Sequence, residues 1–127
     1  MILIVDSGST KSDWIAVDTN GNKLLKKIRT KGLNPAILAE KKLSKIIRKS
    51  EELSNKSENV THVFFYGAGC GTENARELLE TVLKGIFINA YIEVNEDTLA
   101  AVYSTINHQK EAAVVCILGT GSNCSYY

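Results

Sequence analysis

Short apolar blocks run along the whole chain, and their period changes in a definite order. Ile2 to Asp6 is an apolar run ending on a carboxylate, which predicts a buried strand. Ser12 to Asp18 alternates, with Trp14 and Ala16 on one side and Asp13, Ile15 and Val17 on the other. Asn20-Gly21 is a two-residue hairpin signal, so Lys23 to Thr30 follows as the third strand of an antiparallel meander. From Asn34-Pro35 the period lengthens. Asn34 suits an N-cap and Pro35 a first helical position, and Ala39, Leu43, Ile46, Ile47 and Leu53 predict one amphipathic helix of about five turns.

Alternation of strand and helix then takes over. Val60 to Tyr66 predicts a strand closed by the glycine turn Gly67 to Gly71. Thr72 caps a helix with Ala75, Leu78, Leu79, Val82 and Leu83 inward, and Gly85 ends it in a left-handed conformation. Ile86 to Val94 predicts the next strand. Asn95 caps a third helix with Glu96 and Asp97 in its first turn and Leu99, Tyr103 and Ile106 inward. Ala112 to Ile117 reads as a further strand, followed by a glycine turn and the start of another strand at Asn123. The order βββαβαβα predicts an α/β domain: a mixed five-stranded sheet with helices on both faces.

Composition leaves that picture intact and excludes some partners. The 127 residues are 44% hydrophobic and 23% charged, ordinary for one domain with a real core. A net charge of +1 gives no bulk attraction to nucleic acid or membrane, and the lysine clusters at 23–31 and 41–49 read as solvated faces. No run approaches the ~18 apolar residues of a membrane span. Cys70, Cys116 and Cys124 have no metal-ligand spacing and form no framework, which with the lack of a leader suits the cytoplasm. His62 and His108 stand alone.

The candidate chemistry lies in two turns of one design. Asp6-Ser7-Gly8-Ser9-Thr10-Lys11 follows the first strand, and Leu118-Gly119-Thr120-Gly121-Ser122-Asn123 follows the strand ending at Ile117. Small residues leave backbone N–H groups uncovered, and successive N–H groups make a nest for phosphate oxygens. Asp6 at the mouth of the first turn suits Mg²⁺, which keeps its waters and takes few carboxylates. Neither turn is a P-loop, and neither opens a helix as a dinucleotide fingerprint does. Either turn alone is also an ordinary hairpin, and Asp97 alone is also an ordinary first-turn acid. In mixed sheets of this kind ligands sit at the carboxyl ends of strands, where the Gly8 turn, the Gly67 to Gly71 turn, Asn95 to Asp97 and the Gly119 turn converge.

The segments Val5 to Ser12, Gly32 to Pro35, Gly67 to Gly71, Asn95 to Ala101 and Leu118 to Cys124 together resemble the N-acetylglucosamine kinase and BadF/BadG-type ATPase branch of the hexokinase–actin–chaperone superfamily. The resemblance implies a ribonuclease-H-like N-terminal domain over residues 1–127, with an adenosine-binding C-terminal domain outside this chain. It implies ATP and Mg²⁺ as cofactors and an amino sugar as the small-molecule substrate. Asp6 would hold the metal. Gly8, Ser9, Thr10 and Lys11, with Gly119, Thr120 and Gly121, would approach the phosphates. Asp97 matches the catalytic carboxylate, with Glu96 the rival acid, and Asn34, Ser122 and Asn123 match sugar-binding positions.

Two other readings are open at this level. A dehydratase-activating ATPase would carry a cluster cysteine where this chain has Ala100 and Ala101. A non-enzymatic binding module would use one domain without its partner. With one wall of the cleft missing, the chain alone is expected to be inactive, and a strand cut short near Asn123 favours a homodimer.

Overall fold

The computed structural model describes residues 1–105, 114–118 and 122–126. Strands β1 (Ile2–Ser7), β2 (Lys11–Val17), β3 (Ile28–Lys31), β4 (His62–Gly67) and β5 (Tyr91–Glu96) form a five-stranded sheet in the order β3-β2-β1-β4-β5. The meander pairs antiparallel, while β4 and β5 join β1 in parallel. This is the mixed sheet expected from the strand–helix order.

Alternation decides which side of the sheet is the core. Leu3, Val5, Trp14, Ala16, Val63, Phe65, Ile92 and Val94 point one way and are buried. Helices α1 (Glu40–Arg48) and α3 (Glu73–Lys84) close over them with Leu43, Ile47, Leu79 and Leu83. Each of these large side chains contributes roughly 1.5–3 kcal/mol by leaving water. Phe87 completes the layer against Trp14, with ring centroids 6.2 Å apart. Helix α4 (Asp97–Thr105) lies on the opposite face, where Tyr103 meets Tyr66 edge-on at 6.4 Å. Helices therefore cover both faces.

Several local expectations are corrected. The predicted five-turn helix is two: α1 ends at Arg48, and a short α2 (Glu51–Asn55) follows an extended Ser50. A continuous helix would turn Ser50, Glu51 and Ser54 toward the core after Ile47, and the break resets the phase so that Leu53 is buried. A 3₁₀ turn, Ser57–Asn59, leads into β4. Asn34 does not cap α1, whose N-cap is Ala39; Asn34 instead heads a tight turn, its Oδ1 accepting from Ala36 N–H at 3.0 Å.

The third strand begins at Ile28, and Lys23 makes only an isolated bridge to Val17. Leu24 is exposed and the lysines around it stay in water, so this stretch meets the sheet only at points, such as Leu24 N–H donating to Ala16 O at 2.8 Å and Leu25 packing against the core. Ile86 and Phe87 are apolar because they finish the core, not because they are strand: both N–H groups bond back to Leu83 O. Gly85 is right-handed, with φ −70°, and its carbonyl accepts from Arg48 Nη2 at 3.0 Å. Asn95 is not a cap, since β5 continues through Glu96. Helix α4 buries Thr98 and Val102, while Tyr103 is exposed on its outer part. Ile106 lies outside the described residues. Thr72 does cap α3, accepting from Ala75 N–H at 3.3 Å, and the Asn20-Gly21 hairpin forms with Gly21 at φ +83°.

Beyond α4, β6 (Val114–Leu118) and β7 (Ser122–Tyr126) make a separate antiparallel two-stranded sheet that packs on α4. Its register sets Cys116 opposite Cys124, and the two are joined as a disulfide. The cysteines are thus not without a framework; hairpin register, invisible in their spacing, pairs them. Among the described residues no helix is long and apolar enough to cross a membrane.

Candidate active site

The carboxyl ends of β1, β4 and β5 lie side by side, and sheet register sorts the residues there into two rows. On the α4 face the row is Asp13, Asp6, Tyr66 and Asn95. On the next register level it is Ser12, Ser7, Gly67 and Glu96. Asp97 follows at once as the first residue of α4. The first glycine turn, the candidate metal acid and the candidate base thus share one rim.

The first turn is built from below by hydroxyls. Ser7 and Ser12 are fully buried, with their Oγ atoms 2.7 Å apart. Leu33 N–H donates to Ser7 Oγ at 3.1 Å, and Ser12 Oγ donates to Lys31 O at 3.3 Å. The segment 31–33 is thereby pinned under the turn. Gly32 N–H donates to Thr10 O at 2.9 Å, and a Cβ on Gly32 would overlap the Ser9 carbonyl. Only glycine permits that approach.

Gly8 differs from the expectation for a hairpin glycine. Its N–H closes the turn onto Lys11 O at 2.9 Å, and no residue of the turn has positive φ. A Cβ on Gly8 would meet only Lys11 O, at 3.8 Å. The fold does not require glycine there. Ser9, Thr10 and Lys11 are exposed around it, and among the described residues the Ser9 and Thr10 N–H groups make no turn or loop backbone bond.

Asp6 accepts no hydrogen bond among the described residues. Partial burial raises its pKa, with repulsion from Asp13 and Asp97 adding to the rise and Lys11 opposing it. An acid held among acids, its oxygens unengaged, fits a hydrated divalent cation that takes one or two carboxylates and keeps its waters. Among the described residues no group of three or more His, Cys, Asp or Glu could hold a metal ion.

The charge balance at Asp13 is different. Arg29 Nε and Nη2 donate to both of its oxygens at 2.6 and 3.0 Å, and Lys27 Nζ adds a contact at 3.3 Å. These cations hold the Asp13 carboxyl down at about 2. A lowered folded pKa stabilises above the ordinary carboxylate value, and that contribution disappears as pH falls from 3.8 through about 2. Both cations are half exposed, so Asp13→Asn should cost no more than about 1 kcal/mol at pH 7, a cost that shrinks as pH falls from 3.8 and is lost once pH has passed below about 2, read from denaturation curves across that range.

Asp6 has the opposite sign. A raised folded pKa stabilises below the unfolded value of 3.8 and ceases to do so as pH rises through the folded value. Asp6→Asn should therefore raise Tm at pH 7 in the absence of metal, and the gain should vanish below the carboxylate range. A lower Tm at pH 7 would mark Asp6 as structural.

Asn34 lies beside this turn and is 8% exposed. Its Nδ2 donates to Ser9 Oγ at 3.2 Å, tying it to the Gly8 turn. Gly69, at φ +82°, passes so close to Asn34 Oδ1 that no Cβ fits. An open groove lined by Pro35, Ala36, Gly69, Gly71, Thr72 and Leu78 runs outward from it. Asp97 Oδ1 accepts from Thr98 N–H at 3.0 Å, at the first residue of α4. Of the second turn, Gly119, Thr120 and Gly121 lie outside the described residues. Ser122 and Asn123 stand at the start of β7, opposite Leu118 and Ile117.

Sequence reasoning missed Gly32, Ser7, Ser12 and Asp13 as supports of the site. The paired serines flanking the first turn were the available signal, since two polar residues at inward positions of buried strands need partners.

No protein-family model matches the chain, and no curated protein matches it. Among solved structures, one from Porphyromonas gingivalis, a "Putative N-acetylglucosamine Kinase", superposes with a TM-score of 0.87 and 35% sequence identity. The match covers 100% of this chain and 44% of that one, so the chain spans less than half of that protein's length. By fold, this chain is a kinase-like, ribonuclease-H-like α/β domain, similar over its whole length to less than half of that protein.

Proposed function

We propose that the chain provides the metal- and sugar-holding wall of an ATP-dependent kinase that phosphorylates an N-acetylglucosamine-like hydroxyl, with an adenosine-binding domain forming the other wall. The observation that carries the reading is the placement of Asp6, the Gly8 turn and Asp97 along one rim of the sheet, in a chain 35% identical to a protein so named. Asp97 would accept the proton of the attacking hydroxyl. Asp6 would hold Mg²⁺ through water, and Mg²⁺ would offset charge on the phosphates. Lys11 and the Ser9 and Thr10 N–H groups would face the transferred group, and Asn34 would meet the amino sugar. Ser122, Asn123 and residues 119–121 would complete the phosphate and sugar contacts from the second turn. Ala100 and Ala101 within α4 disfavour the iron–sulfur ATPase alternative.

A coupled ADP-release assay on the two-domain polypeptide, with a panel of hexoses and amino sugars, tests this. Turnover of about 1–100 s⁻¹ with N-acetylglucosamine is expected. ATP hydrolysis indifferent to every sugar would overturn it.

Gly8 offers a sharper probe of the phosphate contact. Because a Cβ fits, Gly8→Ala should change stability by less than about 0.5 kcal/mol. It should weaken MgATP binding by about tenfold, because the methyl group occupies the path of approach to the turn. Unchanged affinity by calorimetry would place the phosphates elsewhere.

A further inference from the structure

We propose that Cys116 and Cys124 form a reversible thiol–disulfide switch that sets the order of the β6–β7 hairpin and, through it, of helix α4, whose first residue is Asp97. The two cysteines sit directly opposite each other, Cα atoms 4.2 Å apart, in a bonded pair. Both are exposed, and exposed disulfides are the ones open to exchange with small thiols. Cys70 is no competitor: it is buried, and burial pushes its thiol up to about 12.

The position of the pair gives it leverage. β6 and β7 pair only with each other among the described residues, and an isolated two-stranded hairpin is marginal in water. What holds it is the cross-link and its packing on α4, where Val115 is buried. Helix α4 begins at Asp97, so loosening the hairpin removes cover from the helix that positions the candidate base. The other strands have the α1–α3 layer and do not depend on the pair.

The chemistry balances with glutathione as co-reactant. A glutathione thiolate attacks one sulfur, the Cys116–Cys124 S–S bond breaks, and a mixed disulfide forms. A second glutathione displaces the first as glutathione disulfide. The two cysteines gain two electrons and two protons, and oxidation by glutathione disulfide reverses each step.

The 127-residue chain is equilibrated in excess oxidised or excess reduced glutathione, quenched in acid, alkylated in denaturant and weighed. One modified cysteine is expected in the first condition and three in the second. Hydrogen exchange is then followed in both states. Reduction should speed exchange roughly 10- to 100-fold at 114–118 and 122–126, with faster exchange also at 97–105 and none of it in β1–β5. Cys116→Ser in oxidised glutathione should behave as the reduced wild type. A pair that stays reduced in excess oxidised glutathione, or resists excess reduced glutathione in the native state, overturns the proposal. So does equal exchange at 97–105 in the two states.

Discussion

Asp97→Asn in the two-domain polypeptide is expected to lower phosphoryl transfer by about 10²–10⁴-fold while leaving MgATP affinity nearly unchanged. The split follows from where the residue stands. Asp97 follows β5 at the head of α4, close enough to Asp6 for the two charges to interact, yet on a different strand from the glycine turn. Its carboxylate can meet a hydroxyl without holding the nucleotide. The amide still accepts from Thr98 N–H, so the helix start survives the change. Single-turnover rates and a nucleotide titration separate the two effects. Wild-type turnover in the variant would remove Asp97 from the role of base and direct attention to Glu96, which the register places beside Gly67.

Gly32→Ala is expected to damage the site more than any change on its surface. The added methyl meets backbone, the Ser9 carbonyl, and not the movable end of a side chain. Either the 31–33 segment withdraws, breaking the Gly32 N–H to Thr10 O and Leu33 N–H to Ser7 Oγ bonds, or the turn shifts. Overpacking of this kind costs about 1–3 kcal/mol, and a buried N–H left without its partner adds a cost of similar size. Chemical denaturation should show that loss, and MgATP affinity should fall with it. A variant of wild-type stability would mean that the two segments do not touch in solution.

Much of this architecture is legible in the residues. The hydrophobic periods give five strands in the right order along the chain, the third and fifth begun too early, because each strand buries one side and alternation has a direct cause. Asn20-Gly21 and Thr72 act within a few residues of themselves and are read without reference to anything distant. The motif segments place Asp6, the Gly8 turn and Asp97 at strand ends, and parallel pairing of β1, β4 and β5 then gathers them.

Where local reading fails, a distant contact has won. Asn34 is a good helix cap by type, yet Ser9 and the turn at Ala36 engage its amide, and α1 starts later without a side-chain cap. Ile86 and Phe87 look like strand because they are apolar, but Trp14 and the Leu83 carbonyl decide their conformation. The same is true of the site's supports. No spacing reveals that Gly32 lies against Ser9, that Arg29 and Lys27 clamp Asp13 beside Asp6, or that Cys116 faces Cys124.

The sequence by itself determines the order of elements, the inward face of each strand and the identity of the small set of acids and glycines that end them. These follow from hydrophobic period and turn chemistry, which act over one or two turns of chain. Only the tertiary structure decides which of those residues share a rim, which glycine is sterically required and which is free for a ligand, and which carboxylate is neutralised. Those properties depend on strand register and on approaches between segments 20 or more residues apart, as between Ser7 and Leu33, 26 positions apart in sequence, and a chain read in one dimension carries no measure of them.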